Sequence, residues 1–250
     1  MNKKKLLAMC LIVCLLAVAA VSGTLAYFTD TDSAKNVMAV GNIEIEQNEQ
    51  QLDANGALEP FVQSKKLFPM VDNRIDGDPL YVNSYFNEKM ANVVDKIITV
   101  SNKGSEEAYV RTILAFETQR HYEEGSNTKF NDLHDTYFGV LGNDVEYLDR
   151  YITVDGVEYV LAVRLYEEAL APSATTEPSL KQFFLASTAG NETSQLFGNE
   201  YTILALSQGV QTAGFEDTNG NGTAADEALN KAFGNLETMD LAEIAAWFAE

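Results

Sequence analysis

From Val37 to Ile45 the chain alternates: Val37, Ala39, Gly41, Ile43 and Ile45 fall on one side, and Met38, Val40, Asn42 and Glu44 on the other. By Ile43 one face is apolar and the other acidic, the period-2 pattern of a half-buried strand, and one strand is predicted to end near Glu46. Gln47 to Glu59 is polar, with a turn at Asn55-Gly56. Val93 to Asn102 and Ala108 to Glu117 are rich in β-branched and aromatic residues, and Gly104-Ser105-Glu106-Glu107 separates them. That spacing predicts a β-hairpin near the middle of a sheet, with Lys96 and Arg111 on its polar faces. Tyr147 to Val154, Asp155-Gly156 and Val157 to Tyr166 give the clearest hairpin signal, because Asp-Gly supplies the positive φ of a tight turn. Leu133 to Gly142 is ambiguous, Ala171 to Pro178 reads as a loop, and Lys181 to Leu185 as a short strand or helical turn. Tyr201 to Val210 reads as the last strand.

Beyond Val210 the period changes. Asp226 to Phe233 and Asp240 to Phe248 carry Ala and Leu at helical spacing, and Leu241, Ile244, Ala245 and Phe248 share one face. Thr238 is placed to cap the second helix, and Asp240 suits its positive end. About eight short strands, with helices confined to loops and the C-terminus, define a mainly β protein, an antiparallel jelly-roll-like sandwich. No alternation of strands with long helices points to a parallel α/β fold.

The first residues follow a different rule. Lys3, Lys4 and Lys5 precede an apolar run from Leu6 to Val21, and small residues follow up to Ala26. This is the layout of a secretory signal, with Thr24 and Ala26 at the -3 and -1 positions and cleavage between Ala26 and Tyr27. The competing expectation is an uncleaved anchor, since the run approaches the length that spans a bilayer. Cleavage frees Tyr27, Phe28, Thr29 and Asp30 at the head of a polar arm reaching Asn36. Two readings stand for it: an arm that reaches a neighbouring subunit, or a frayed terminus with two aromatics tucked against its own domain.

Charge and cysteine content narrow the function. The formal charge of the 250-residue chain is -20, and cleavage removes Lys3, Lys4 and Lys5 with no acidic residue beside them. So acidic a surface repels phosphate backbones and anionic lipid, which argues against nucleic acid and leaves the membrane as a partner only through the uncleaved signal. Both cysteines, Cys10 and Cys14, lie in the signal, so the mature chain is expected to fold without disulfides or thiolate chemistry. Catalytic motifs are sparse: there is no H-E-x-x-H, nucleophile elbow, P-loop or G-x-G-x-x-G. His121 and His134 stand in a loop-rich stretch and would need carboxylates to complete a zinc set. The densest run of oxygen ligands is Asp217, Asn219 and Asn221 with Gly222 and the carbonyl of Thr223, the first half of an EF-hand-type calcium loop. Ala228 stands where that loop requires its bidentate Glu, so the expectations are weak calcium binding or an Asx-rich turn leading into a capped helix.

The junction GTLAYFTDTDSAKNVMAVGNIEI, Leu67-Phe68-Pro69, IITVSNKGSEEAYVR, and the tail QGVQTAGFED with ALNKAFGN resemble the TasA/camelysin family of Gram-positive bacteria. The resemblance covers both ends and one middle stretch; no motif in Gln119 to Ser194 carries it. It implies processing by a specialised signal peptidase of the SipW type, a jelly-roll domain, and secretion to the extracellular matrix or cell surface. It further implies self-assembly into biofilm fibres, with other matrix proteins as further partners. In fibre-forming members the freed N-terminal segment adds as a strand to the next subunit, a role that falls here on Tyr27 to Asn36. The expected organisation is a signal over 1–26, an arm and first strand over 27–46, a β domain over 47–235 and a C-terminal amphipathic helix over 236–250. The expected role is structural rather than enzymatic. The alternatives are a camelysin-like metallopeptidase, although no zinc-binding motif is visible, and a monomeric calcium-stabilised surface module.

Overall fold

The structure, a computed structural model of the chain, describes residues 36–40, 43–53, 55–62, 93–118, 120–121, 131–132, 138–142, 144–185, 201–212 and 223–249. Among them are strands β1 (Asn36–Val40), β2 (Ile45–Leu52), β3 (Leu58–Pro60), β4 (Val93–Asn102), β5 (Ala108–Thr118), β6 (Arg120–His121), β7 (Asn131–Asp132), β8 (Phe138–Leu141), β9 (Glu146–Val154), β10 (Val157–Leu170), β11 (Leu180–Leu185) and β12 (Ile203–Gln211). Two helices follow, α1 (Ala224–Phe233) and α2 (Leu241–Ala246). The protein is mainly β. Sheet A has the order β1-β12-β5-β10-β9 and sheet B the order β3-β2-β4-β11-β8, with β6 and β7 forming a small separate pair. Every described pairing between strands is antiparallel except that of β1 with β12, which is parallel.

Two strand predictions are corrected. The alternating run from Val37 to Ile45 is not one strand: β1 belongs to sheet A and β2 to sheet B. The crossing is close, because a Cβ on Gly209 of β12 would lie 2.8 Å from Ile45 Cδ1 and 3.1 Å from Ile43 Cδ1. Glycine at this position leaves room for the two isoleucine side chains against the sheet. Nor do Val93–Asn102 and Ala108–Thr118 form a hairpin, since β4 pairs with β2 and β11 while β5 pairs with β10 and β12. Each is the central strand of its own sheet. The turn between them bonds elsewhere: the Lys103 and Gly104 amides donate to Glu44 O at 2.8 and 3.0 Å, and buried Asn102 donates from Nδ2 to Glu106 O and Leu170 O. The β9–β10 hairpin forms as predicted, with Val154 opposite Val157 and both Asp155 (φ 49°) and Gly156 (φ 82°) left-handed. The stretch read as a loop, Ala171 to Pro178, forms no strand of its own but runs along β4: Asn102 N donates to Ala174 O, Thr176 N to Val100 O and, just beyond it, Ser179 N to Ile98 O.

Burial explains why β5 is apolar almost throughout. Leu114 and Phe116 face sheet B and pack with Ile98, Leu180, Val160, Ala162 and Ala205. Val110 and Ala108 face the same way, among Ile45, Val100, Tyr166 and Leu170. Ile113 and Ala115 point outward under the C-terminal segment, among Leu206, Leu161, Leu236, Ile244 and Phe248. Sheet A is therefore the middle of three layers, buried on both faces. The 236–250 helix is shorter than predicted. Leu236 to Met239 is a turn, α2 begins at Leu241, and Asp240 rather than Thr238 caps it by accepting from Ala242 N at 2.8 Å. Ile244 and Phe248 are buried as their spacing predicted, while Leu241 stays 39 % exposed.

Candidate assembly interface

The N-terminal arm joins the described fold at Asn36, the first residue of an edge strand. β1 runs in unbroken parallel register on β12, from Asn36 opposite Leu206 to Val40 opposite Val210. Val37 and Ala39 pack into the inter-sheet core, and Met38 points the other way, against the clusters under α1 and α2. Both faces of β1 are thus covered, while the far side of its backbone has no strand partner among the described residues. Its sequence, NVMAV, holds no charge and no proline. An uncharged, proline-free edge of this kind is a template for another strand.

The other edges differ. β3 is three residues long and ends in Pro60, which blunts it. β9 is bulged: Tyr151 pairs with Val160 and Tyr147 with Ala162, so Leu148, Asp149 and Arg150 stand against Leu161 alone, and Asp149 has φ 50°. The bulge sends Arg150 to the turn between the helices, where its guanidinium donates to the carbonyls of Leu236 and Met239. β8, FGVL, is a second uncharged edge, four residues long and remote in sequence from the arm.

Two polar groups tie this architecture together, and both were expected on exposed polar faces. Arg111, 3 % exposed, lies under α1. Its Nε donates to Gln208 Oε1 at 2.7 Å, Nη1 to Asn230 Oδ1 at 2.9 Å and Nη2 to Gly234 O at 3.0 Å. Burial pulls its pKa down to about 10, against the opposing pull of Asp226, so it stays charged at neutral pH. Lys96, 8 % exposed, pairs with Glu49 at 2.6 Å and lies 4.4 Å from the Phe61 ring centroid. The signal for Arg111 was its place inside the run AYVRTILAFE, which leaves the strand no polar face.

Inside the sandwich a polar row separates the two apolar clusters. Ser207, Thr112 and Arg164 are neighbours in register across β12, β5 and β10. Ser207 Oγ donates to Gln47 Oε1 of β2 at 2.7 Å and lies 3.2 Å from Thr112 Oγ1. This row fixes how the sheets superpose, because a shift of one residue would leave buried groups unpaired. Tyr166 beside it donates to Glu177 O at 2.9 Å, and burial raises its pKa despite hydrogen bonds from its neighbours.

Of the residues singled out by sequence, Ala26, Tyr27, Phe28, Thr29 and Asp30 lie outside the described residues, as do Asp217, Asn219, Asn221 and His134. Thr223 is described and acts as the N-cap of α1: Oγ1 accepts from Asp226 N at 3.2 Å, and its carbonyl accepts from Glu227 N at 3.1 Å. His121 lies in β6, opposite Asn131. Among the described residues no three acidic, His or Cys side chains are grouped to hold a metal, and no helix is long and apolar enough to cross a membrane. Comparison with protein-family models, curated proteins and solved structures gave no match.

Proposed function

We propose that this chain is a secreted structural protein of an extracellular biofilm matrix, which polymerises when the freed N-terminal arm of one copy adds as a strand to a sheet edge of the next. The observation that carries the reading is β1: the arm leads into an uncharged, proline-free edge whose outer backbone has no described strand partner. Such an edge supplies the row of amides and carbonyls that strand addition needs. Residues 27–35 span about 30 Å when extended, more than the length of a five-residue strand. An arm donated by one copy to the edge of the next, and not exchanged in return, is a head-to-tail contact, and it builds an open filament when the rotation between copies does not close. The resemblance of the junction to the TasA/camelysin family and the charge of -20 support the same reading. A specialised signal peptidase is then the processing partner, and cleavage after Ala26 controls both release and assembly.

Electron microscopy of the purified chain beginning at Tyr27 tests this. Filaments are expected, and a chain beginning at Asn36, which keeps β1, is expected to remain a folded monomer with an unchanged circular dichroism spectrum. Filaments of undiminished yield from the shortened chain would overturn strand donation.

A further inference from the structure

We propose that α1 is a lock on β1, acting through the guanidinium of Arg111, so that the edge strand is held in sheet A only while the helix is docked. β1 is five residues long and has one described neighbour, β12. Its only outward-facing side chain among the three described at its centre is Met38, which packs beneath the layer built from α1, with Val210, Ala228, Leu229 and Phe233 close by. Met38 Sδ also lies 3.5 Å from Gln208 Nε2, and the oxygen of that same amide accepts from Arg111 Nε at 2.7 Å. The remaining Arg111 donors grip α1 at Asn230 and at the carbonyl of Gly234, just past the helix C-terminus. A continuous chain of contacts therefore runs from α1 through Arg111 and Gln208 to β1. Among the described residues no such polar chain reaches β1 from the inner face, where Val37 and Ala39 contribute ordinary apolar packing.

Lifting α1 removes two of the three acceptors of a buried cation and uncovers Met38 on its α1 side in the same step. Both changes weaken a strand that has one ladder. Coupling of this kind is reciprocal: loss of β1 must loosen α1 by the same free energy. Its consequence for fibres rests on the strand-donation reading, in which an undocked α1 would remove the β1 edge that receives the next copy's arm; the coupling itself does not.

Native-state hydrogen exchange on the chain beginning at Tyr27, at a concentration where it is monomeric, reads the lock directly. Asn230→Ala removes one acceptor from the helix side and leaves the sheet untouched. It is expected to speed exchange of the Val37–Val40 amides about tenfold, together with those of α1, while β4 and β11 keep wild-type protection. Met38→Ala tests the reverse direction and is expected to speed exchange in α1. Faster exchange in α1 with β1 unchanged, or equal acceleration in every strand, would overturn the lock. Failure to form filaments would count against strand donation alone, since exchange is read on the monomer.

Discussion

At one edge of sheet A, β9 carries Glu146, Asp149 and Arg150 and a bulge that sets three residues against one; at the other, β1 carries no charge, no proline and no break in register. The two edges also differ in what covers them. The bulge in β9 turns Arg150 toward the turn between the helices, so the strand's irregularity is spent on holding the C-terminal segment. β1 keeps one register, is covered on both faces at Val37, Met38 and Ala39, and has no second strand partner among the described residues. Soluble proteins commonly defend their sheet edges with charge, proline or bulges; β9 shows such a device and the described residues of β1 do not, which is the contrast the strand-donation proposal uses.

The comparison can be broken most sharply at Met38. Met38→Lys puts an ammonium beneath α1 in place of an apolar side chain, and a loss of about 3–5 kcal/mol is expected in chemical denaturation. A loss below about 1 kcal/mol would mean that the outer face of β1 is not enclosed. Next is Arg150→Ala, which strips two carbonyls of a charged donor and is expected to cost about 2–3 kcal/mol, with Arg150→Lys recovering only part because one ammonium cannot reproduce the fork. Equal stability of the Lys and Arg proteins would show that the bulge does not serve the clamp. A change of about 1 kcal/mol is expected for Asp240→Ala, the cap of α2, and almost none for Thr238→Ala; thermal melts of the pair decide which residue caps. The smallest effect is expected at Thr153→Lys on exposed β9, within about 0.5 kcal/mol, which makes it the counterpart of Met38→Lys on the opposite edge.

Alkaline pH acts on the interior and should favour neither edge. Burial raises the folded-state pKa of Tyr166 above its unfolded value near 10. The folded protein then holds its proton longer than the unfolded chain, so stability is complete below pH 10 and falls as pH rises toward the folded pKa. Tyr166→Phe is expected to flatten that fall, as followed by denaturation midpoints between pH 9 and 11. An unchanged slope would assign it to other groups.

Much of the fold was legible because it is written in local chemistry. Asp155-Gly156 specifies its hairpin through two residues that tolerate positive φ. Ile244 and Phe248 are buried where their spacing placed them. The errors share one origin. A hairpin and an arch between two sheets have the same alternation and the same turn residues, and only contacts distant in sequence distinguish them: β4 on β2 and β11, β5 on β12 and β10, and Lys103 and Gly104 bonded to Glu44. Likewise, the run Val37 to Ile45 keeps one period while it passes from sheet A to sheet B over Gly209.

The sequence by itself determined that this chain is mainly β, acidic, and ended by short helices, because periodicity, charge and turn chemistry depend on neighbours along the chain. Pairing, layering and exposure depend on neighbours in space. Only the tertiary structure decided that β1 lies parallel on β12 at an open edge, that the helices form a third layer over sheet A, and that Arg111 is buried. Arg111 illustrates the physical reason: an arginine in a strand reads as solvent-facing until a helix supplies Asn230 and Gly234, more than a hundred residues away, to satisfy it.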